Sequence, residues 1–144
     1  MTKPLSGNIQ RKQTRVVHRG TMLGSQKLVA FVAARDLARA KAFYRDTLGL
    51  RLVSDDEFAL VFDAAGTMLR VARVQKPAAA EYTVLGWQVR DIAQTAKQLQ
   101  QARVALERYP GMQQDELGIW NAPSGARVAW FKDPDGNTLS ITEH

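Results

Sequence analysis

Cysteine is absent from the 144-residue chain. That removes a disulfide framework, a thiolate zinc site and a cysteine nucleophile, and it suits a reducing compartment, here expected to be the cytoplasm. Histidine is nearly as scarce: His18 and His144 stand near the two ends, where isolated imidazoles are more often solvated than ligating. No apolar run approaches the length of a membrane span, so no membrane partner is expected. Acid is missing from one region only. Residues 1–26 hold Lys3, Arg11, Lys12, Arg15 and Arg19 but no Asp or Glu. Of the chain's net charge of +6, that stretch carries +5, and the remainder has 15 basic against 14 acidic residues. The pI near 10.0 therefore belongs to the leader. Such a leader attracts polyanions in a salt-sensitive way without forming a surface that reads nucleic acid, so no specific nucleic-acid partner is expected.

What is present divides at about residue 27. Upstream there is no sustained periodicity, and a flexible basic leader is the favoured reading. A secretory signal lacks its apolar core here, and Pro4, Gly7 and Gly20 interrupt the amphipathic helix of a transit peptide. Met22 is an alternative translation start. Downstream, 45% hydrophobic content with clear patterning predicts one folded domain over 27–144, with modules at about 27–76 and 82–144. Residues 27–34 read as a strand. Asp36 caps a helix whose Leu37, Ala40, Phe43, Tyr44 and Leu48 share a face, and Gly49 ends it. Strands are predicted at 50–54, 57–63 and 67–74, with Ala64-Ala65-Gly66 turning between the last two. After a linker at 75–81 the plan repeats. A strand at 82–89 leads to a helix capped by Asp91 with Ile92, Ala96, Leu99 and Ala102 inward, then strands at 104–109, 117–121, 127–132 and 138–142. Asp133-Pro134-Asp135-Gly136-Asn137 forms the last turn.

Arg35-Asp36-Leu37-Ala38 recurs 55 residues later as Arg90-Asp91-Ile92-Ala93, at the same strand-to-helix junction. This marks a duplicated β-α-β-β-β unit. The run from Arg35 through Phe43-Tyr44 into Leu48-Gly49-Leu50, together with Phe131-Lys132-Asp133-Pro134-Asp135-Gly136-Asn137, resembles the vicinal oxygen chelate superfamily of glyoxalases, bleomycin resistance proteins and extradiol dioxygenases. The resemblance implies an α+β fold: two βαβββ modules forming a curled mixed sheet with an open cleft, helices on the convex side. It also implies a homodimer. Strand alternation then places Leu69, Val71, Leu85, Trp87, Val89, Leu139 and Ile141 toward the helices. Met68, Arg70, Ala72, Tyr82, Val84, Gly86, Gln88, Thr138, Ser140 and Thr142 face the cleft.

Metal-dependent members of that superfamily supply His, Glu or Gln from the first and last strands of each module. By resemblance, those positions fall at Val29, Arg70, Val84 and Ser140. Two valines, a guanidinium and a neutral hydroxyl make no divalent-ion site, so neither a metal nor another cofactor is expected. The expected ligand-binding residues are Arg70, Tyr82, Gln88, Tyr109, Trp120 and Ser140. Arg70 suits a carboxylate, phosphate or enolate oxygen, with a salt bridge to Glu107 or another acid of the body as its structural alternative. Tyr109 and Trp120 are the expected wall aromatics, while Trp130 and Phe131 are assigned to packing. Asp115-Glu116 sits on a rim loop as an acid–base candidate. The sequence thus points to a protein that binds a small organic molecule without a metal. The alternatives are an enzyme of the same superfamily, metal-free or with displaced ligands, and an interaction module whose cleft is filled by its own side chains.

Overall fold

The computed structural model describes residues 22–144. The basic leader up to residue 21, including His18, lies outside them, and residues 22–26 form exposed turns. Strand β1 (Val29–Ala34) enters helix α1 (Leu37–Lys41), which widens into a π-helical turn over Ala42–Thr47. Asp36 caps it as predicted, its Oδ1 accepting from Ala38 N at 2.9 Å and Arg39 N at 3.3 Å. The widening shows in the bond from Leu48 N to Phe43 O at 2.9 Å, and the consecutive Phe43 and Tyr44 both pack inward. Gly49 follows at φ +81°, the left-handed conformation that stops a helix.

Strands β2 (Arg51–Asp55), β3 (Ala59–Ala64) and β4 (Thr67–Arg73) complete the first sheet in the order β1-β4-β3-β2, with β1 parallel to β4. The β3 strand begins two residues later than predicted because Asp56 Oδ1 takes the N–H groups of Phe58 and Ala59, at 2.8 and 3.0 Å. Leu60, Phe62, Leu69 and Val71 are buried toward the helix, leaving Val61, Met68 and Arg70 on the open face.

The second module repeats the plan with β5 (Thr83–Gln88), α2 (Ile92–Gln101), β6 (Trp120–Asn121), β7 (Arg127–Lys132) and β8 (Thr138–Glu143), in the order β5-β8-β7-β6. Asp91 caps α2 through Gln94 N at 3.1 Å. Two strand expectations fail here. Residues 104–109 form no strand, only an isolated bridge between Leu106 and Phe131, and the strand predicted at 117–121 shrinks to two residues. The cause is the Gln114 amide, which accepts from Tyr109 N at 2.8 Å and donates to Glu107 O and Gly118 O at 2.9 and 2.8 Å. One side chain satisfies backbone groups that a strand ladder would otherwise pair. Ala102, expected inward, lies exposed past the end of α2.

The modules share one core. Phe131 of β7 lies 6.5 Å from Phe43 and stacks on Trp87 at 6.3 Å. The turn after β7 latches onto the first module. Asp133, only 6% exposed, accepts from the Tyr44 hydroxyl at 2.7 Å, Asn137 Nδ2 at 2.8 Å, and the N–H groups of Asp135 and Asn137 at 2.9 Å. Asn137 Nδ2 also reaches Ala33 O at 2.9 Å, and Asp135 accepts from Arg35 N at 3.0 Å. Burial and the neighbouring Asp133 carboxylate push the Tyr44 phenol far above its ordinary pKa, so it stays a donor. Among the described residues, no helix is long and apolar enough to cross a membrane.

Candidate functional site

Pleating gives each sheet an open face opposite its helix. On the second sheet, Ala129 and Phe131 point to the core, so alternation turns Trp130 outward, and it is half-buried. Around it stand Trp120, ring centroids 6.0 Å apart, and Tyr109, edge-on at 5.5 Å. Trp120 arrives through β6, whose register sets it opposite Val128 on that face. The Trp130 indole donates to Thr83 Oγ1 at 3.0 Å. Ser140 lies directly across the β7–β8 ladder from Trp130. Its hydroxyl is on a residue 8% exposed and has no hydrogen-bond partner among the described residues. Gly86 pairs with Ser140 on the other side, and a Cβ there would stand 2.5 Å from Ser140 Oγ. Only glycine lets β5 pass this close to the hydroxyl.

The first sheet offers a different surface. Phe31 and Val61 flank Arg70 in register on β1 and β3. Phe31 is 61% exposed, and Val29, Val53 and Met68 are also open to solvent. Lys27, Val29, Arg51, Val61, Asp63 and Met68 help line a hollow of about 240 Å³. Arg70 makes no ion pair among the described residues, so the expected alternative of a Glu107 bridge does not form. Its charge is felt at Asp56. The backbone N–H groups of Phe58 and Ala59 hold that carboxyl below its usual range, and Arg70 adds to the effect.

The six sequence-derived ligand residues thus divide between surfaces. Tyr109, Trp120 and Ser140 gather on the open face of the second sheet, and Arg70 stands on that of the first. Tyr82 precedes β5 and is 74% exposed, so it packs into no cleft wall. Gln88, at the end of β5, helps line a separate hollow of about 280 Å³ between the helices, beside Trp87, Leu99 and Phe131. Trp130, assigned to packing from sequence, is the centre of the aromatic face. The signal was present in the alternation of 127–132, where a core Phe131 forces its neighbour outward. Asp115, an acid–base candidate, is committed to structure: its Oδ1 accepts from Leu117 N and Ile119 N, both at 2.9 Å. Burial pushes the Tyr109 phenol upward, aided by Glu107, so it stays protonated at neutral pH.

Among the described residues, no three His, Cys, Asp or Glu side chains come together to hold a metal ion. The four positions that the resemblance assigns to metal ligands carry Val29, Arg70, Val84 and Ser140. Val84 falls at the irregularity in the β5–β8 register and packs against the core. This donor set does not fit a divalent cation.

The family model of the glyoxalase/bleomycin resistance protein/dioxygenase superfamily matches residues 27–141. The chain belongs to that superfamily. No curated protein matches the sequence, but solved structures of the superfamily fold do. A lactoylglutathione lyase from Agrobacterium tumefaciens is 20% identical over 83% of this chain and 93% of its own, with a TM-score of 0.66. An antibiotic-binding protein from Streptomyces sp. is 23% identical over 85% and 98%, at 0.62. A fosfomycin resistance protein from Listeria monocytogenes is 12% identical over 83% and 93%, at 0.64. At these identities the likeness speaks for the fold alone, and it agrees with two open four-stranded mixed sheets. The fold hosts lyases and binding proteins alike, so the site must decide between them.

Proposed function

We propose that this superfamily member binds a small, planar or apolar organic molecule on the aromatic open face of its second sheet, without a metal ion. The observation that carries the reading is the grouping of Trp120 and Tyr109 around Trp130, which stands across the ladder from the buried Ser140, whose hydroxyl has no partner among the described residues. The rings supply flat apolar contact, and the hydroxyl, which loses free energy while unpaired, supplies one directional bond. Binding is favoured over catalysis because the rim carboxylate Asp115 is already spent on backbone, Tyr109 stays protonated, and the metal positions lack donors. The antibiotic-binding neighbour illustrates that the fold suits such a role.

The homodimer belongs to this proposal. The 240 Å³ hollow on the first sheet is smaller than a typical small-molecule site, which begins at roughly 300 Å³, and it is open rather than filled by its own side chains. A second copy facing Phe31, Val29 and Met68 would cover these exposed apolar groups and close the cleft over Arg70. The expected location is the cytoplasm.

Tryptophan fluorescence tests the binding site directly, since Trp87, Trp120 and Trp130 all lie in the second module. A panel of aromatic and polycyclic compounds is titrated into the wild type, Trp130→Ala and Ser140→Ala. A saturable quench that weakens at least tenfold in Trp130→Ala is expected. Binding unaffected by either substitution would refute the site.

A further inference from the structure

We propose a second, anion-binding site at the helix-side end of the first sheet, built by Arg35, Arg73 and Lys76 and suited to a phosphate monoester or diphosphate group. The three cations line a hollow of about 660 Å³ together with Val74 and Gln75, and no acid contributes to its wall. Four cations elsewhere in the body have a carboxylate partner: Lys41 with Asp55, Arg45 with Asp46, Arg51 with Asp63 and Arg127 with Glu143. The side chains of Arg35, Arg73 and Lys76 have no ion-pair or hydrogen-bond partner among the described residues. The three like charges share a wall that holds no carboxylate, and a bound oxyanion relieves their mutual repulsion.

The two arginines are held by their backbones while their side chains stay exposed. Ala34 and Arg73 are register partners across the parallel β1–β4 pair, so Arg35 emerges beside Arg73. Arg73 N donates to Phe58 O at 2.8 Å, Val74 N to Ala34 O at 2.9 Å, and Arg35 N to Asp135 Oδ1 at 3.0 Å. Arg73 shares the pleat side of Leu69 and Val71, so its guanidinium stands at the helix side, away from the aromatic open face. Paired guanidinium forks match phosphate oxygens in a bidentate way, and a flexible ammonium adds a third contact. A neighbouring hollow shares Arg35 and Arg73 and adds Asp36, Asp56 and Glu57. The three carboxylates on that side repel an anion, so it belongs on the Lys76 side.

The test is calorimetric titration of the full chain with inorganic pyrophosphate, at ionic strength matched with sodium chloride. Saturable one-to-one binding is expected, weakened about tenfold or more by Arg35→Gln or Arg73→Gln and less by Lys76→Gln. Thermal melts accompany each variant. Should Arg73→Gln fail to fold, the exposed Arg35 and the linker residue Lys76 decide the matter. The basic leader is the rival source of anion binding, so a triple variant R11Q/K12Q/R15Q is titrated in parallel and should bind within about twofold of wild type, as screened contacts from a leader contribute little to a formed pocket. Citrate serves as the carboxylate comparison and should bind more weakly than pyrophosphate. Absence of saturable binding, retention of affinity in R35Q/R73Q, loss of affinity in the leader variant, or preference for citrate would each overturn the proposal.

Discussion

Tyr44→Phe removes one oxygen from the most buried polar contact between the two modules. Tyr44 is 1% exposed and Asp133 is 6% exposed, and the hydroxyl lies 2.7 Å from Asp133 Oδ2. The ring stays, so no cavity forms beyond the lost oxygen. The carboxylate keeps Asn137 Nδ2 and two backbone N–H groups but loses its one donor from the first module. A hydrogen bond to a charged acceptor is worth about 1.5–3 kcal/mol, which for a body of this size lowers Tm by about 5–12 °C. Asp133→Asn turns an acceptor of four bonds into a half-donor and should cost more, about 3 kcal/mol or above. Urea unfolding is followed by tryptophan fluorescence, which reports only the second module, and by far-ultraviolet circular dichroism, which reports both. If the core is shared, Tyr44→Phe shifts both midpoints equally although the change lies in the first module. The double variant Y44F/D133N should show a coupling of about 1 kcal/mol or more. A tryptophan midpoint that does not move, or a coupling near zero, would refute the latch.

Three further outcomes follow from the same structure. Because Tyr44 has a raised folded pKa, its contribution is fully present below the unfolded value of 10.0 and is lost as pH climbs above it. Wild-type Tm should therefore fall above pH 10 more steeply than that of Tyr44→Phe, and parallel curves would speak against it. Arg70→Met deletes a guanidinium with no protein partner, so stability in urea should change by less than about 0.5 kcal/mol; a loss above 1 kcal/mol would mean that Arg70 is structural. Ala65 sits at φ +50° ahead of Gly66 at +93°, a turn that favours Asn-Gly, and Ala65→Asn should gain about 0.5–1 kcal/mol, with no gain or a loss counting against the turn assignment.

Much of this architecture is legible before folding because it rests on local chemistry. The capping aspartates Asp36 and Asp91, the stop at Gly49 and the alternation of β4 and β8 act within a few residues, and the duplicated Arg-Asp junction discloses the symmetry. What escapes is what depends on partners far along the chain. Gln114 replaces two strands with side-chain bonds that no propensity announces. The Asp133 turn is readable as a turn, but its grip on Tyr44, Ala33 and Arg35 spans about a hundred residues. The site divides in the same way. Trp120 and Ser140 share one face because β6, β7 and β8 share a sheet, and Tyr109 joins them from the loop that Gln114 holds. Arg70 stands on the open face of the other sheet, to which β4 belongs. Trp130 reads as a packing residue because it sits in a regular strand, whereas the pleat beside the core Phe131 turns it to the open face.

The metal-free binding reading is tested most directly by native mass spectrometry, with elemental analysis, of the full chain purified without chelator. A substoichiometric or absent divalent-ion signal is predicted, together with an organic adduct that disappears in Trp130→Ala and a Tm unchanged by chelator. One divalent ion per chain, removed by chelator with a fall in Tm, would contradict it.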